Sequence, residues 1–366
     1  DAAAAAAGSA GAVAPAGAAA RSAGVSARAA ASGGGPVLVG VGSGAVNDLC
    51  KHVATVRGLP YISVATAPSM DGFAAPISAL VLGKVKTTVP STSPDAVVAD
   101  LDILTGAPHS LITAGLGDVL GKLTSLADWR TAHVLFDEYW CRETAEEVGA
   151  IARRALQSAA SLAERSPGAV SDLMEALVRA GSSVVHVGSS RPTSGAEHLV
   201  SHFIEMWSAN RGVRPPAHGH VVAVGTLIAS RTAEALRGLG KPARPAAVDV
   251  APGEVLGALR IESVPGNFGL SKFAEEAGSA RRRNIAARWD EVMEELARLP
   301  GPDEIAGALR RAGCPTRLSE LGVEREAAVR AIAWSRFLRE RYTVFDLAAD
   351  AGVFPDLVDE LVAEYA

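Results

Sequence analysis

The hydrophobic pattern changes character once along the chain. In the first third, short apolar runs of strand type alternate with helical stretches. Pro36-Val-Leu-Val-Gly-Val41 predicts a strand buried on both faces, Tyr61-Ile-Ser-Val-Ala65 a second strand, and Ala96-Val-Val-Ala-Asp100 a third. A helix start is read at Asn47-Asp-Leu-Cys-Lys-His-Val-Ala54, between the first two. Strands alternating with helices predict a parallel sheet of α/β class. Beyond Pro108 long amphipathic patterns take over, at 116–130, 144–165, 171–180, 196–207, 221–239, 284–299, 319–341 and 357–365. Only Ser182-Ser-Val-Val-His-Val187 breaks that run, and its β-branched residues allow a strand or a buried turn. The expected architecture is an α/β domain followed by an all-helical domain, with a small-molecule site in the cleft between them.

Composition narrows the function classes. A chain of 366 residues suggests two domains. Hydrophobic residues reach 48%, a figure inflated by alanine, while aromatics are only 5%. A net charge of −5 offers no basic face for nucleic acid or acidic lipid. No stretch has the length and apolarity of a membrane span. The tract at 1–35 is nearly all Ala, Gly and Ser, without the basic start and Leu-rich centre of a signal peptide. It reads as low-complexity, or as the incomplete start of a domain. Three distant cysteines, Cys50, Cys141 and Cys314, form no CxxC pair, which fits a reduced, cytoplasmic setting. Cys141 is expected in a helix, as core packing.

The candidate chemistry begins where strands end. Gly40-Val-Gly-Ser-Gly44 lies between strand and helix, where glycines let a pyrophosphate approach the free amides of a helix N-terminus. It lacks the GxGxxG spacing, and a plain tight turn explains it equally well. Thr66-Ala-Pro-Ser-Met-Asp-Gly72 gathers hydroxyls and a carboxylate at the end of the second strand, although a turn capped by Ser69 or Asp71 has the same composition. Further on, Arg191-Pro-Thr-Ser-Gly-Ala-Glu-His198 is followed by His202 and by His218-Gly-His220. His198 and His202 are i, i+4 on one helical face. With Asp118 of Ala114-Gly-Leu-Gly-Asp118, His198 and His218 make one carboxylate and two imidazoles, a set that leaves a coordination position open on a catalytic metal. His220 is expected to point elsewhere in an extended segment. His52, His109, His133 and His186 have no partner pattern. Arg281-Arg-Arg283 is placed on a solvated helix start, and Arg339 and Arg341 on a helix end.

Read together, these segments resemble the sn-glycerol-1-phosphate dehydrogenases, a branch of the iron-containing alcohol dehydrogenase and dehydroquinate synthase-like superfamily. The match is carried by Gly40 to Asp48, Ile62 to Phe73, Ala114 to Asp118 with Ala127-Asp-Trp129, Arg191 to His198 with His202, His218-Gly219, and Arg341-Tyr-Thr-Val-Phe-Asp346, in order over roughly residues 36–350. The resemblance implies a Rossmann-like nucleotide-binding domain at 36–108 and a helical metal- and substrate-binding domain at 109–366. It implies reversible NAD(P)H-linked reduction of dihydroxyacetone phosphate to sn-glycerol 1-phosphate, a backbone for glycerophospholipids. Gly42, Gly44, Ala45, Val46, Asn47 and Asp48 would hold the cofactor pyrophosphate, and Thr66, Ala67, Pro68 and Ser69 would line the nicotinamide side. Asp118, His198 and His218 match the metal ligands, usually for zinc and sometimes nickel or iron. Asp71 and His202 match substrate-contacting positions that could orient hydroxyls or relay a proton, and Asp118 counts among the substrate contacts. Ala75 stands where these enzymes typically carry a serine near the cofactor. A homo-oligomer is the expected assembly.

Rival readings are a dehydroquinate synthase-like sugar-phosphate cyclase, a polyol dehydrogenase acting on free glycerol, and a non-catalytic homologue. Such cyclases use Glu as first metal ligand and a Lys-rich phosphate site, so Asp118 and the Ser-Met-Asp-Gly segment favour the dehydrogenase. No cluster of Lys or Arg near the expected cleft declares itself in the sequence.

Overall fold

The computed structural model describes residues 35–240, 250–266, 268–273 and 275–366, with side chains at 273–280 left aside. Residues 1–34, most of the expected low-complexity tract, lie outside the described residues. Val37–Ala366 form one compact unit.

Three short strands, β1 (Leu38–Gly42), β2 (Tyr61–Ala65) and β5 (Ala96–Ala99), form a parallel sheet in the order β1-β2-β5. Gly42 pairs with Ala65, and Ala65 with Ala99, so the carboxyl ends of all three strands are level. Helix α1 (Gly44–Arg57) connects β1 to β2 and ends at Gly58, which takes the left-handed conformation at φ 62°. The strand expectations hold to within two residues. The burial expected for the first strand does not: Val39 is 50% and Val41 63% exposed. Gly40 faces Cys50 of α1, so Val39 and Val41 project from the opposite face of the sheet, which the described residues leave open.

An unexpected hairpin stands between β2 and β5. β3 (Ile77–Leu82) and β4 (Val85–Pro90) pair antiparallel through Gly83 and Lys84, both at positive φ. Two such residues in a row are the signature of a two-residue turn whose twist suits a hairpin. β4 carries Lys86 and two threonines instead of a clean alternation, so its pattern is easily passed over.

After the short α2 (Leu101–Gly106) the chain is helical. Helix α3 (His109–Phe136) is the axis of this part, buried along most of its length. Around it stand α4 (Arg142–Ala163), α5 (Pro167–Val187), α6 (Ala196–Ala209) and α7 (His218–Arg237). They are followed by α8 (Pro252–Ala258), α9 (Glu275–Leu296), α10 (Pro302–Ala312), α11 (Arg325–Trp334), α12 (Val344–Asp350) and α13 (Phe354–Tyr365). One apolar core joins them, with Leu116, Leu120, Phe203, Leu227, Ile228 and Phe345 fully buried.

Three local expectations are corrected. Ser182–Val187 is neither strand nor turn; it is the last part of α5, where packing against the core outweighs the β preference of its valines. The pattern at 319–341 is broken into α11 flanked by short 3-10 turns, the second ending at Leu338. Cys141 precedes α4 as its N-cap residue and is half-buried, with Sγ 3.2 Å from Thr144 Oγ1. All three cysteines are free, and among the described residues no helix is long and apolar enough to cross a membrane.

Two glycines set how closely the site-bearing elements meet. A Cβ on Gly219, in the first turn of α7, would fall 1.9 Å from the Ala114 carbonyl oxygen of α3. A Cβ on Gly115 would fall 1.8 Å from the carbonyl oxygen of Pro68 in the loop after β2. Only a missing side chain lets α7 and the β2 loop lie directly on α3.

Candidate active site

The close packing of α3, α6 and α7 brings three side chains to one point. Asp118 comes from the middle of α3, His198 from the first turn of α6, and His218 from the first residue of α7. Their ligand atoms lie within 4.8 Å of one another. His198 Nε2 is 3.5 Å from Asp118 Oδ1, and the His198 and His218 rings are 5.2 Å apart. Asp118 and His198 are buried, while His218 is half-buried and opens the cluster to one side.

Each histidine is oriented by a carboxylate. His198 Nδ1 lies 2.8 Å from Glu197 Oε1, and His218 Nδ1 lies 2.6 Å from Glu205 Oε1. A proton held on Nδ1 by a carboxylate leaves Nε2 with its lone pair, the arrangement typical of metal-ligating histidines. Glu197 is itself fixed by Thr124 Oγ1 at 2.7 Å and by the amide of Gly195 at 2.6 Å. Glu205 accepts from Ser201 Oγ at 2.9 Å and pairs with Lys86 of the hairpin at 2.6 Å. Asp128, one of the residues of the Ala-Asp-Trp segment, accepts the amide of Ala196 at 2.7 Å and that of Val344 at 2.6 Å. It therefore ties the start of α6 to the start of α12.

The donor set fits a divalent ion. Bonds of about 2.1 Å to a shared ion keep donor atoms within about 4.2 Å of each other, a small contraction from what is seen. One hard oxygen and two borderline nitrogens suit a first-row metal. Lys122, one turn after Asp118, has its Nζ 2.6 Å from Asp118 Oδ1 and 2.7 Å from Asp71 Oδ2. It also donates to the Thr193 carbonyl. The amide of Asp71 donates to Asp118 Oδ2 at 2.8 Å, so the loop after β2 is pinned to the cluster.

Charge shapes the titration of this site. Burial pushes the Asp118 carboxyl up, but Lys122 and His198 beside it hold it well below the usual carboxylate range. Burial lowers the His198 imidazole, yet its bonds to Asp118 and Glu197 carry it up to about 9 in the metal-free site, so that a divalent ion would bind by displacing the Nε2 proton. His202 goes the other way: burial drives it well below its usual value, Arg339 and Lys86 push it further down, and Glu205 opposes them. Its Nδ1 is buried without a hydrogen-bond partner among the described residues, and its ring centroid is 6.1 Å from that of His218. A neutral imidazole with an unused nitrogen beside the cluster is suited to bind a hydroxyl or move a proton.

The expected cofactor segments lie together at the carboxyl ends of β1 and β2. Thr66 donates its amide to the Gly42 carbonyl at 3.2 Å, which closes the two loops on each other. Ser43 makes no side-chain cap on α1; its hydroxyl meets that of Ser69 at 2.5 Å. The first amides of α1, Ala45 and Val46 included, thus keep the anion-binding capacity of an open helix start. The Asn47 side chain is turned inward, bonding the Gly72 carbonyl, Tyr61 and Ser63, and Asp48 faces Lys51 at 3.3 Å. Ala67 and Pro68 are buried or nearly so, Pro68 resting on Gly115.

His220 stands clear of the cluster, for a different reason than expected: it lies in α7, two residues past His218, and bonds Thr113 Oγ1 at 2.9 Å. Arg339 does follow a helix end, that of the short 3-10 turn at Leu338, whereas Arg341 lies in the link to α12. Both are half-buried; Arg339 donates to the Lys86 carbonyl at 3.1 Å, and Arg341 to Ser194 and Ser190. Lys122, Glu197 and Glu205 were passed over in the sequence, although each sits at helical spacing from, or next to, a singled-out residue. Lys86 carries no such signal, because only the hairpin brings it to α6.

Comparison with known proteins bears on this geometry. A family model described as iron-containing alcohol dehydrogenase matches residues 7–108. Among solved structures, a probable glycerol dehydrogenase from Sinorhizobium meliloti is similar in fold, with a TM-score of 0.55 at 18% identity over 89% of this chain and 76% of that one. An NADH-dependent butanol dehydrogenase from Thermotoga maritima gives 0.53 at 16% identity, over 90% and 76%. The fold is thus that of the iron-containing alcohol dehydrogenase and dehydroquinate synthase-like proteins. The glycerol-1-phosphate dehydrogenase [NAD(P)+] of Bacillus licheniformis is 31% identical over 322 residues, which are 88% of this chain and 70% of that protein. The enzyme of that name from Sulfolobus acidocaldarius is 36% identical over 233 residues, 61% and 65% of the two chains. This chain belongs to the glycerol-1-phosphate dehydrogenase family of oxidoreductases.

Proposed function

We propose that the protein reduces dihydroxyacetone phosphate to sn-glycerol 1-phosphate with NADH or NADPH, reversibly, at the cluster of Asp118, His198 and His218. The observation that carries this reading is the convergence of those three donors, each histidine backed by its own carboxylate, in a chain of this family. A divalent ion, zinc by the borderline character of the donors and nickel or iron as alternatives, is held by Asp118, His198 and His218. The chemistry supplied by such an ion is polarisation of a ketone and stabilisation of the negative charge that develops on its oxygen.

The chain's own residues do the rest. Residues 36–108 hold the nicotinamide cofactor, with its pyrophosphate against Gly42 and Gly44 to Asp48 and its nicotinamide side along Thr66 to Ser69. Residues 109–366 hold metal and substrate. Asp71, anchored by Lys122 and by its amide bond to Asp118, orients the substrate hydroxyl. His202, neutral and with Nδ1 unpaired, binds a hydroxyl or relays the proton that completes the alcohol. Glu197 and Glu205 keep the two ligand rings in place. The product serves as a glycerophospholipid-type backbone, and copies of the chain associate as a homo-oligomer in the cytoplasm.

Stereochemistry tests the activity directly. Product from dihydroxyacetone phosphate is offered to a reference enzyme specific for sn-glycerol 3-phosphate. The reading expects no oxidation of the product; its complete oxidation would reject the assignment.

A further inference from the structure

Two cations stand on one side of the metal cluster, brought there by segments far apart in sequence. Lys86 comes from β4 and Arg339 from the turn after Leu338, and both segments pack against α6, the helix of His198, His202 and Glu205. The two are joined: an Arg339 Nη donates to the Lys86 carbonyl at 3.1 Å. Lys86 Nζ is 2.6 Å from Glu205 Oε2, and the other oxygen of that carboxylate is 2.6 Å from His218 Nδ1. The Lys86 charge is therefore one carboxylate away from the cluster.

Arg339, half-buried beside α6, is not matched by a carboxylate. Its two hydrogen bonds go to backbone carbonyls, of Lys86 and Leu338, and among the described residues it has no carboxylate partner. Arg341, two residues on, is in the same condition, with its bonds spent on Ser194 and Ser190. By contrast Arg191 is paired with Glu138, and Arg336 with Asp346. A half-buried guanidinium without a counter-charge keeps its attraction for an anion, and its planar donors match phosphate oxygens two at a time.

We propose that Arg339 and Lys86 form the subsite for the phosphate dianion of the substrate, on the His202 side of the cluster. This inference rests on the phosphotriose reading above and supplies the specificity element that the sequence did not disclose. A phosphate seated there leaves the ketone end facing Asp118, His198 and His218. Arg339 supplies the fork; Lys86, shared with Glu205, supplies the second charge. A free polyol gains nothing from either.

The test uses the whole chain, metal-loaded, and two probes. In steady-state assays, Arg339→Met is expected to lower kcat/KM for dihydroxyacetone phosphate on the order of 10²-fold more than for unphosphorylated dihydroxyacetone. Arg339→Lys, which keeps the charge and loses the fork, recovers part of that preference. Inorganic phosphate is expected to compete with dihydroxyacetone phosphate and to raise the Tm of the wild type, and to raise that of Arg339→Met less. Equal losses with both ketones, or an equal phosphate shift in wild type and Arg339→Met, would overturn the subsite. Absence of any wild-type turnover would instead count against the dehydrogenase reading, while the phosphate shift would still decide the subsite.

Discussion

The ammonium of Lys122 lies 2.6 Å from Oδ1 of Asp118, four residues earlier on the same helix. Both side chains are fully buried, and the same ammonium reaches Asp71 at 2.7 Å. Lys122 thus offsets the charge of buried Asp118 and bridges it to the part-buried Asp71. Replacement by Met leaves a buried charge uncompensated, at about 3 kcal/mol or more of stability. A divalent ion at Asp118 replaces part of that compensation, so the loss should shrink when metal is added. Chemical denaturation of Lys122→Met with and without zinc measures both; an equal loss in the two conditions would contradict the role.

His198 has no structural duty beyond the cluster, because its ring nitrogens meet only Glu197 and Asp118. His198→Ala should keep the helical circular dichroism and lose more than about 10²-fold in zinc affinity, with turnover abolished. Metal titration of the purified variant decides this, and wild-type affinity would remove His198 from the ligand set.

Glu205 links His218 to Lys86 without reaching the cluster itself. Glu205→Gln keeps the shape and removes the charge. It should weaken metal binding by about 10- to 100-fold, the usual effect of losing a carboxylate behind a ligating histidine. Competition with a chromogenic chelator reads the change.

The contact of Gly219 with Ala114 has no slack. Gly219→Ala would set a methyl 1.9 Å from a carbonyl oxygen, so α7 must move away from α3 and take His218 with it. The expected outcome is a loss of about 3 kcal/mol, the upper end of the usual cost of overpacking, together with weakened metal affinity. A Tm within one degree of wild type would show that the helices do not meet so closely.

A pH dependence arises away from the cluster. Asp346 accepts from Lys272 Nζ at 2.9 Å, from Arg336 at 2.9 Å and from Thr343. Burial raises its carboxyl, but Lys272 and Arg336 hold it below the usual carboxylate range. A folded-state pKa below the unfolded one, about 3.9, means that this stabilisation is complete above that pH and lost as pH falls further. Asp346→Asn should therefore lower stability at neutral pH by about 3 kcal/mol and flatten the slope below pH 4. Urea midpoints between pH 3 and 7 test it; an unchanged acid slope would contradict it.

How much could be read in advance followed the range of the interactions involved. The strands β1, β2 and β5 and the i, i+4 pair of His198 and His202 are local patterns, and they were legible. Asp118 and His218 were singled out by residue type and family resemblance, since 100 residues separate them and it is the packing of α7 on α3, closest at Gly219 and Ala114, that joins them. The hairpin was not legible, because Lys86 of β4 is matched by Glu205, on a helix more than 100 residues away. Arg339 read only as a charge at a helix end for the same reason: its surroundings depend on β4 and α6, not on its neighbours in sequence. Ser182–Val187 misled by propensity, which the core beneath α5 overrides.

The most direct test of the central claim is oxidation of NADH and NADPH with dihydroxyacetone phosphate, on protein stripped by chelator and on the same protein reloaded with zinc, nickel or iron. The account predicts turnover only after reloading, with a strong preference for the phosphorylated ketone. Undiminished turnover by protein verified to be metal-free would contradict the assignment of Asp118, His198 and His218 as the metal centre of a dehydrogenase.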